Sequence, residues 1–273
     1  MGLRIALSVI PIEVEESLNA LRIGCVKYLN ARPLIRGWAG EVDFDHPSAL
    51  CKRLADGELD VALVSSFEFL RNPIYRIVDD VSISSDGPVY SVIVAYAGNA
   101  PLPEIELDPA SETSVFLLRY LIAERGKSFQ AAEITSDLLL PLKHGRARLL
   151  IGDHAIRFRQ KFGGTYRYWD LGGEWKGVTK LPFVYALWLV RPEVADPKSI
   201  ANRLRTLRDK NLANLDVLIA DETEFHYEFC SRYYREHLRF SFGENEKKSL
   251  ITFADLCAKQ GLLQRCDLAL DLV

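Results

Sequence analysis

A chain of 273 residues with 48% hydrophobic and 26% charged residues has the composition of a globular protein with a sizeable core, which excludes a largely disordered chain. Its formal net charge is −3 and it contains no long basic run, so the footprint of a nucleic-acid binder is missing and an anionic small ligand would be met by local donors. No stretch reaches the roughly 18 uninterrupted apolar residues of a membrane span.

The opening Met1-Gly2-Leu3-Arg4-Ile5-Ala6-Leu7 resembles a signal peptide only faintly, because Glu13, Glu15 and Glu16 follow early and no small-residue cleavage site is clear. Residues 1–20 are expected to be an extension before the fold. Cys25, Cys51, Cys230, Cys257 and Cys266 form no Cys-x-x-Cys pair, and their odd number argues against a disulfide framework. They read as reduced thiols, and a cytoplasmic location is expected.

Arg22-Ile23-Gly24-Cys25-Val26 reads as a short strand, with Tyr28-Leu29-Asn30 bringing a phenol and an amide to its carboxyl end. Pro33 suits the first turn of the helix that follows, and the crevice beyond the strand ends of an open α/β sheet is where small molecules bind. An ordinary turn with Asn30 capping that helix accounts for the same residues. Val42-Asp43-Phe44 is a short strand, and Pro47-Ser48 opens an amphipathic helix through Leu50, Leu54 and Leu59. Val61-Ala62-Leu63-Val64 is an apolar run typical of a parallel strand buried on both faces, ending in the hydroxyls of Ser65 and Ser66 at the same crevice.

Ser82 to Ser85 lead through Asp86-Gly87-Pro88 into a strong strand ending at Tyr96, and the glycine and prolines at 98, 101 and 103 suggest the first passage between lobes there. Ser111, Thr113 and Ser114 stand at the start of a helix carrying Val115, Leu118, Leu121 and Ile122 at 3.6 spacing. Such a helix start is a ready anion site. Ala132 to Ile134 is a weak strand, Leu138 to Leu142 begins another apolar segment, and Arg148 to Ile151 runs into Gly152-Asp153. Leu181 to Val190 is a second long strand that returns the chain to the first lobe. Helices are expected over 200–219, 222–238 and 253–263. The order predicts an α/β protein of two lobes, residues 21–96 with 183–273 and an inserted 97–182, with a cleft between them.

No metal-ligand spacing appears among the five histidines, and Gly163-Gly164 and Gly172-Gly173 match neither the phosphate-loop nor the dinucleotide pattern, so no metal and no organic cofactor is expected. Asp221, Glu222, Glu224 and His226 read as caps and a solvated face. What remains is a set of polar termini that are donors more than bases. Ser91 can also be a small core residue, and Asp153 a helix cap.

Tyr28-Leu29-Asn30-Ala31-Arg32-Pro33-Leu34, Asp86-Gly87-Pro88-Val89-Tyr90-Ser91-Val92, Thr113-Ser114-Val115, Ile151-Gly152-Asp153 and Leu181-Pro182-Phe183-Val184-Tyr185-Ala186, in this order, resemble the chorismate dehydratase (MqnA) family of the futalosine route to menaquinone. The resemblance implies a periplasmic-binding-protein-like fold of type II used as a cytoplasmic enzyme, a hydro-lyase converting chorismate, a dianion, to 3-[(1-carboxyvinyl)oxy]benzoate and water. It implies Asn30 and Ser91 as the residues next to the reacting groups. Tyr28, Ser65, Gly87, Ser111, Thr113, Ser114, Gly152 and Asp153 are the accompanying binding candidates. The chain departs from the family pattern at Glu112 and His154, and Glu112 is expected to face solvent. A non-catalytic binding protein on the same fold and 1,4-dihydroxy-6-naphthoate synthase are the alternatives; the motif around a catalytic histidine in the latter family is not seen here.

Overall fold

The computed structural model describes residues 21–98, 104–108, 112–134, 137–264 and 267–273; the expected extension at 1–20 and the candidate Ser111 lie outside the described residues. Its strands are, in chain order, β1 (Ile23–Cys25), β2 (Val42–Phe44), β3 (Val61–Ser65), β4 (Arg76–Ser85), β5 (Val92–Tyr96), β6 (Glu104–Leu107), β7 (Gln130–Glu133), β8 (Ala147–Ile151), β9 (Arg167–Asp170) and β10 (Phe183–Val190).

They form two mixed five-strand sheets, ordered β2-β1-β3-β10-β4 and β7-β6-β8-β5-β9. The plan is the same in both. Three parallel strands are followed by an antiparallel strand that has crossed over from the other sheet, β10 in the first and β5 in the second, and then by an edge strand. The apolar run of β3 is buried along its whole length at the middle of the first sheet, as a strand covered on both faces requires. Next to it β10 buries Phe183, Leu187, Trp188 and Leu189.

The first passage is not where the prolines suggested. β5 pairs with β8 and β9, so the chain changes sheets within residues 86–91, ahead of Val92, rather than after Tyr96. Gly87 at φ +124° and Tyr90 at φ +69° break the extended run there, and Asp170 at the end of β9 accepts the N–H groups of Val89 (3.0 Å) and Tyr90 (2.8 Å). A carboxylate on the second sheet thus seizes the backbone and turns it across. The apolar residues of β5 are buried in either arrangement, so composition is silent on the choice.

The C-terminal helices also shift. They span Pro197–Ala213, Leu215–Ala220, Tyr227–Arg232 and Glu244–Lys259, with a π-helical turn at Tyr233–His237. The last begins well before residue 253 because the Glu246 carboxylate accepts the Gly243 N–H at 3.0 Å, and Leu250, Phe253, Ala254 and Cys257 form its buried stripe. Among the described residues no helix is long and apolar enough to cross a membrane.

Candidate functional site

Where the two sheets meet, the ends of β1 and β3, the crossing segment and the starts of the helices Glu112–Glu124 and Gly152–Phe162 line a cavity of about 80 Å³. Tyr28, Asn30, Ser65, Ser91, Thr113, Ser114 and Gly152 all reach its wall, although they come from five separate stretches of chain. Val26, Leu63, Ile83, Val89 and Ala186 supply apolar surface between them.

Asn30 lies in a 3-10 turn, Leu29–Ala31, with Pro33 in the first turn of the helix Arg32–Ile35. It caps neither element. Its side-chain oxygen is buried without a hydrogen-bond partner, which leaves an acceptor at the cavity. The Tyr28 hydroxyl is also buried and unpartnered, and burial, followed by the nearby Asp108 and Asp153 carboxylates, pushes the phenol well above its ordinary value. It therefore stays a neutral donor. Its ring lies against the start of the helix Gly152–Phe162, where a Cβ on Gly152 would come within 2.8 Å of it. Gly152 also holds φ +52°, so both space and backbone require glycine there.

Ser91 is 1% exposed yet forms part of the cavity wall, and its Oγ accepts a 2.6 Å hydrogen bond from the Tyr233 hydroxyl. Its carbonyl accepts the Gly152 N–H at 2.8 Å, tying the crossing segment to a helix start. Ser65, at the end of β3, and Thr113, at the start of the helix Glu112–Glu124, share a short hydroxyl–hydroxyl bond, and Thr113 also takes the Phe67 N–H at 3.2 Å. Thr113 is consequently committed to the seam as much as to the cavity.

Several expectations change. Gly87 and Asp153 do not line the cavity. The Gly87 carbonyl accepts the Ser85 hydroxyl at 2.9 Å, and Asp153, rather than capping its helix, accepts the Leu29 N–H at 2.9 Å from across the cleft. Burial raises the Asp153 pKa, and the Leu29 N–H, Arg157 and Arg32 oppose that rise. Ser66 turns away to donate to the Val184 carbonyl at 2.8 Å. Glu112 does not simply face solvent: it borders the cavity and pairs with Arg71 at 3.1 Å, because Arg71, which also bonds the buried Glu68, stands opposite the helix start. Of the expected solvated face, Asp221 and Glu224 are exposed and pair with Arg36 and Arg157, whereas the Glu222 side chain is buried and pairs with Arg32.

His154 stays off the cavity wall, meeting the Tyr28 ring edge-on at 6.4 Å. Among the described residues one group of metal-type donors converges, Cys51, Glu68 and Glu112, but Arg71 already bonds both carboxylates. Sequence reasoning passed over Tyr233, Tyr234 and Asp170. Only the tandem of two tyrosines was visible as a signal, and nothing local ties it to Ser91.

A two-lobed α/β chain with two mixed sheets of matching order and a small-molecule cavity at their junction is a periplasmic-binding-protein-like protein. The same fold is seen in a protein of Archaeoglobus fulgidus, with a TM-score of 0.70 at 17% identity over 89% of this chain and 98% of that one. It is seen again in the periplasmic aliphatic sulphonate binding protein SsuA of Escherichia coli, with a TM-score of 0.60 at 15% identity over 90% and 94%. Within that class the chain belongs to the menaquinone biosynthesis family, whose model matches residues 21–259. It is 30% identical over 255 residues to the chorismate dehydratase of Thermus thermophilus, covering 85% of this chain and 93% of that protein. It is also similar to the chorismate dehydratase of Campylobacter jejuni, at 28% over 162 residues, 58% of each.

Proposed function

We propose that this protein is a chorismate dehydratase. The family and the two named relatives support the reading, and one observation carries it: an acceptor without a partner, the Asn30 side-chain oxygen, at a cavity it shares with the unpartnered Tyr28 hydroxyl. Chorismate as a dianion has a single hydrogen-bond donor, its C4 hydroxyl. That hydroxyl is assigned to Asn30. The carboxylates are assigned to the Tyr28 hydroxyl and to the helix start at Thr113-Ser114, where the helix dipole favours negative charge; at Gly152, whose own N–H goes to the Ser91 carbonyl, only the dipole contributes.

The chemistry asks for little catalytic power, because loss of the C3 proton and the C4 hydroxyl makes the ring aromatic. Charge developing at C3 spreads through the conjugated diene onto the ring carboxylate, where fixed donors stabilise it. Neither Asn30 nor Ser91 is a base at neutral pH, so the substrate's own enolpyruvyl carboxylate takes the C3 proton. The C4–O bond then breaks with its electron pair, and the departing hydroxide and that proton make up the water lost. With its oxygen occupied by Tyr233, Ser91 has its own proton free to donate to a substrate oxygen.

Incubation of the purified protein with chorismate tests the reading. Loss of the diene absorbance with an aromatic product lighter by one water is expected; unchanged chorismate would overturn it.

A further inference from the structure

Tyr233 and Tyr234 are consecutive residues at the start of the π-helical turn, both nearly or fully buried, and their hydroxyls go to opposite sides of the cavity. Tyr233 donates to the Ser91 side chain at 2.6 Å, across 142 residues of sequence. Tyr234 donates at 2.8 Å to the carbonyl of Leu29, the residue before Asn30, across 205 residues. An irregular turn of this kind fans out successive side chains differently from an α-helix and recurs at functional sites. Both rings are packed, Tyr233 stacked on Phe229 at 5.6 Å and Tyr234 against Phe240 at 6.3 Å, so neither hydroxyl is free to swing.

We infer that Tyr233 and Tyr234 are positioning residues that act as one rigid gauge, setting Ser91 and Asn30 relative to each other for the reaction proposed above. Tyr233 fixes the rotamer of Ser91 and, by occupying one lone pair of its oxygen, favours presentation of the serine proton to a ligand. Tyr234 holds the 3-10 turn that presents Asn30. Because both side chains spring from one turn, displacement of one wall of the site is resisted by the other. The inference rests on the functional reading for its kinetic consequence, but the geometric part stands separately.

Tyr233→Phe and Tyr234→Phe keep the rings and delete the hydroxyls. Each should lower kcat for chorismate about three- to tenfold, the worth of one hydrogen bond, with KM changed less than about twofold. In a Ser91→Ala background Tyr233→Phe should have no further effect, and in an Asn30→Ala background neither should Tyr234→Phe. Losses that persist in full in those backgrounds, or single variants with wild-type kcat, would overturn the inference, since a purely structural role is blind to the partner residue. The second readout needs no turnover: a crystal structure of Tyr233→Phe should show Ser91 redistributed over rotamers, and an unchanged single rotamer would refute the positioning role. A wild type that leaves chorismate intact would sink the functional reading, while the Ser91 rotamer would still decide for or against the gauge.

Discussion

The backbone N–H of Leu29 and the carboxylate of Asp153, 124 residues apart, are joined by a 2.9 Å hydrogen bond from one lobe to the other. Burial raises the Asp153 pKa above its ordinary 3.8. The folded state therefore keeps a proton that the unfolded chain releases, and stability falls as pH climbs from that ordinary value through the raised one. Asp153→Asn retains an acceptor for Leu29 and has no such titration. Its stability relative to wild type should increase as pH rises from about 4 and then level off, measured by denaturant unfolding between about pH 4 and 7. A difference independent of pH would contradict the assignment.

Asn30→Ala and Ser91→Ala should each lower turnover of chorismate roughly ten- to a thousandfold, in line with losing one positioned donor or acceptor, with thermal melting unchanged for Asn30→Ala and modestly lowered for Ser91→Ala, which strands the buried Tyr233 hydroxyl. Two groups serving one transition state are seldom additive, so the double variant should fall by less than the product of the single losses. If Ser91 were only a small core residue, alanine would fill nearly the same space and turnover would match wild type.

Arg71 answers two carboxylates of different burial. Glu68 is 2% exposed, so Arg71→Ala should cost about 3 kcal/mol by stranding a buried charge, whereas Glu112→Gln, on a partly exposed pair, should cost about 1 kcal/mol or less. Removing the one negative charge at the helix start should also lower KM for a dianionic substrate by about two- to fivefold. EDTA should leave both turnover and the melting temperature unaffected, since Arg71 already answers these carboxylates. Loss of turnover in the chelator, restored by a divalent ion, would point instead to metal at Cys51, Glu68 and Glu112.

Gly152→Ala should destabilise by about 1–3 kcal/mol, because alanine is strained at φ +52° and its Cβ would stand 2.8 Å from the Tyr28 ring. Adding Tyr28→Ala removes the clash but not the backbone strain, so melting should recover only in part. Full recovery would mean that the backbone at 152 carries no penalty.

The strand–turn–helix that brings Asn30 to a crevice was legible because Ile23 to Leu34 alternate apolar body with polar turn and place Pro33 where only a helix start tolerates it. The central strands β3 and β10 were legible for a similar reason: an uninterrupted apolar run has no solvated face and must be covered on both sides. Helix starts at Thr113 and Gly152 could be seen to suit an anion. Glu112 could be seen to disagree with one, but not that Arg71 would neutralise it.

By itself, then, the sequence determined the α/β alternation, the two-lobed division and the polar stretches that reach the cavity, since these follow from periodicity and turn chemistry among near neighbours. Tertiary structure alone decided which sheet takes β5, that Ser91 sits on the crossing segment, that Asp153 reaches over the cleft to Leu29, and that Tyr233 meets Ser91. Each of these depends on a hydrogen bond or strand pairing between residues distant along the chain. A buried apolar strand satisfies either sheet equally well, and a tyrosine hydroxyl carries no mark of the partner it will find, so only the packed arrangement of all the elements selects one outcome.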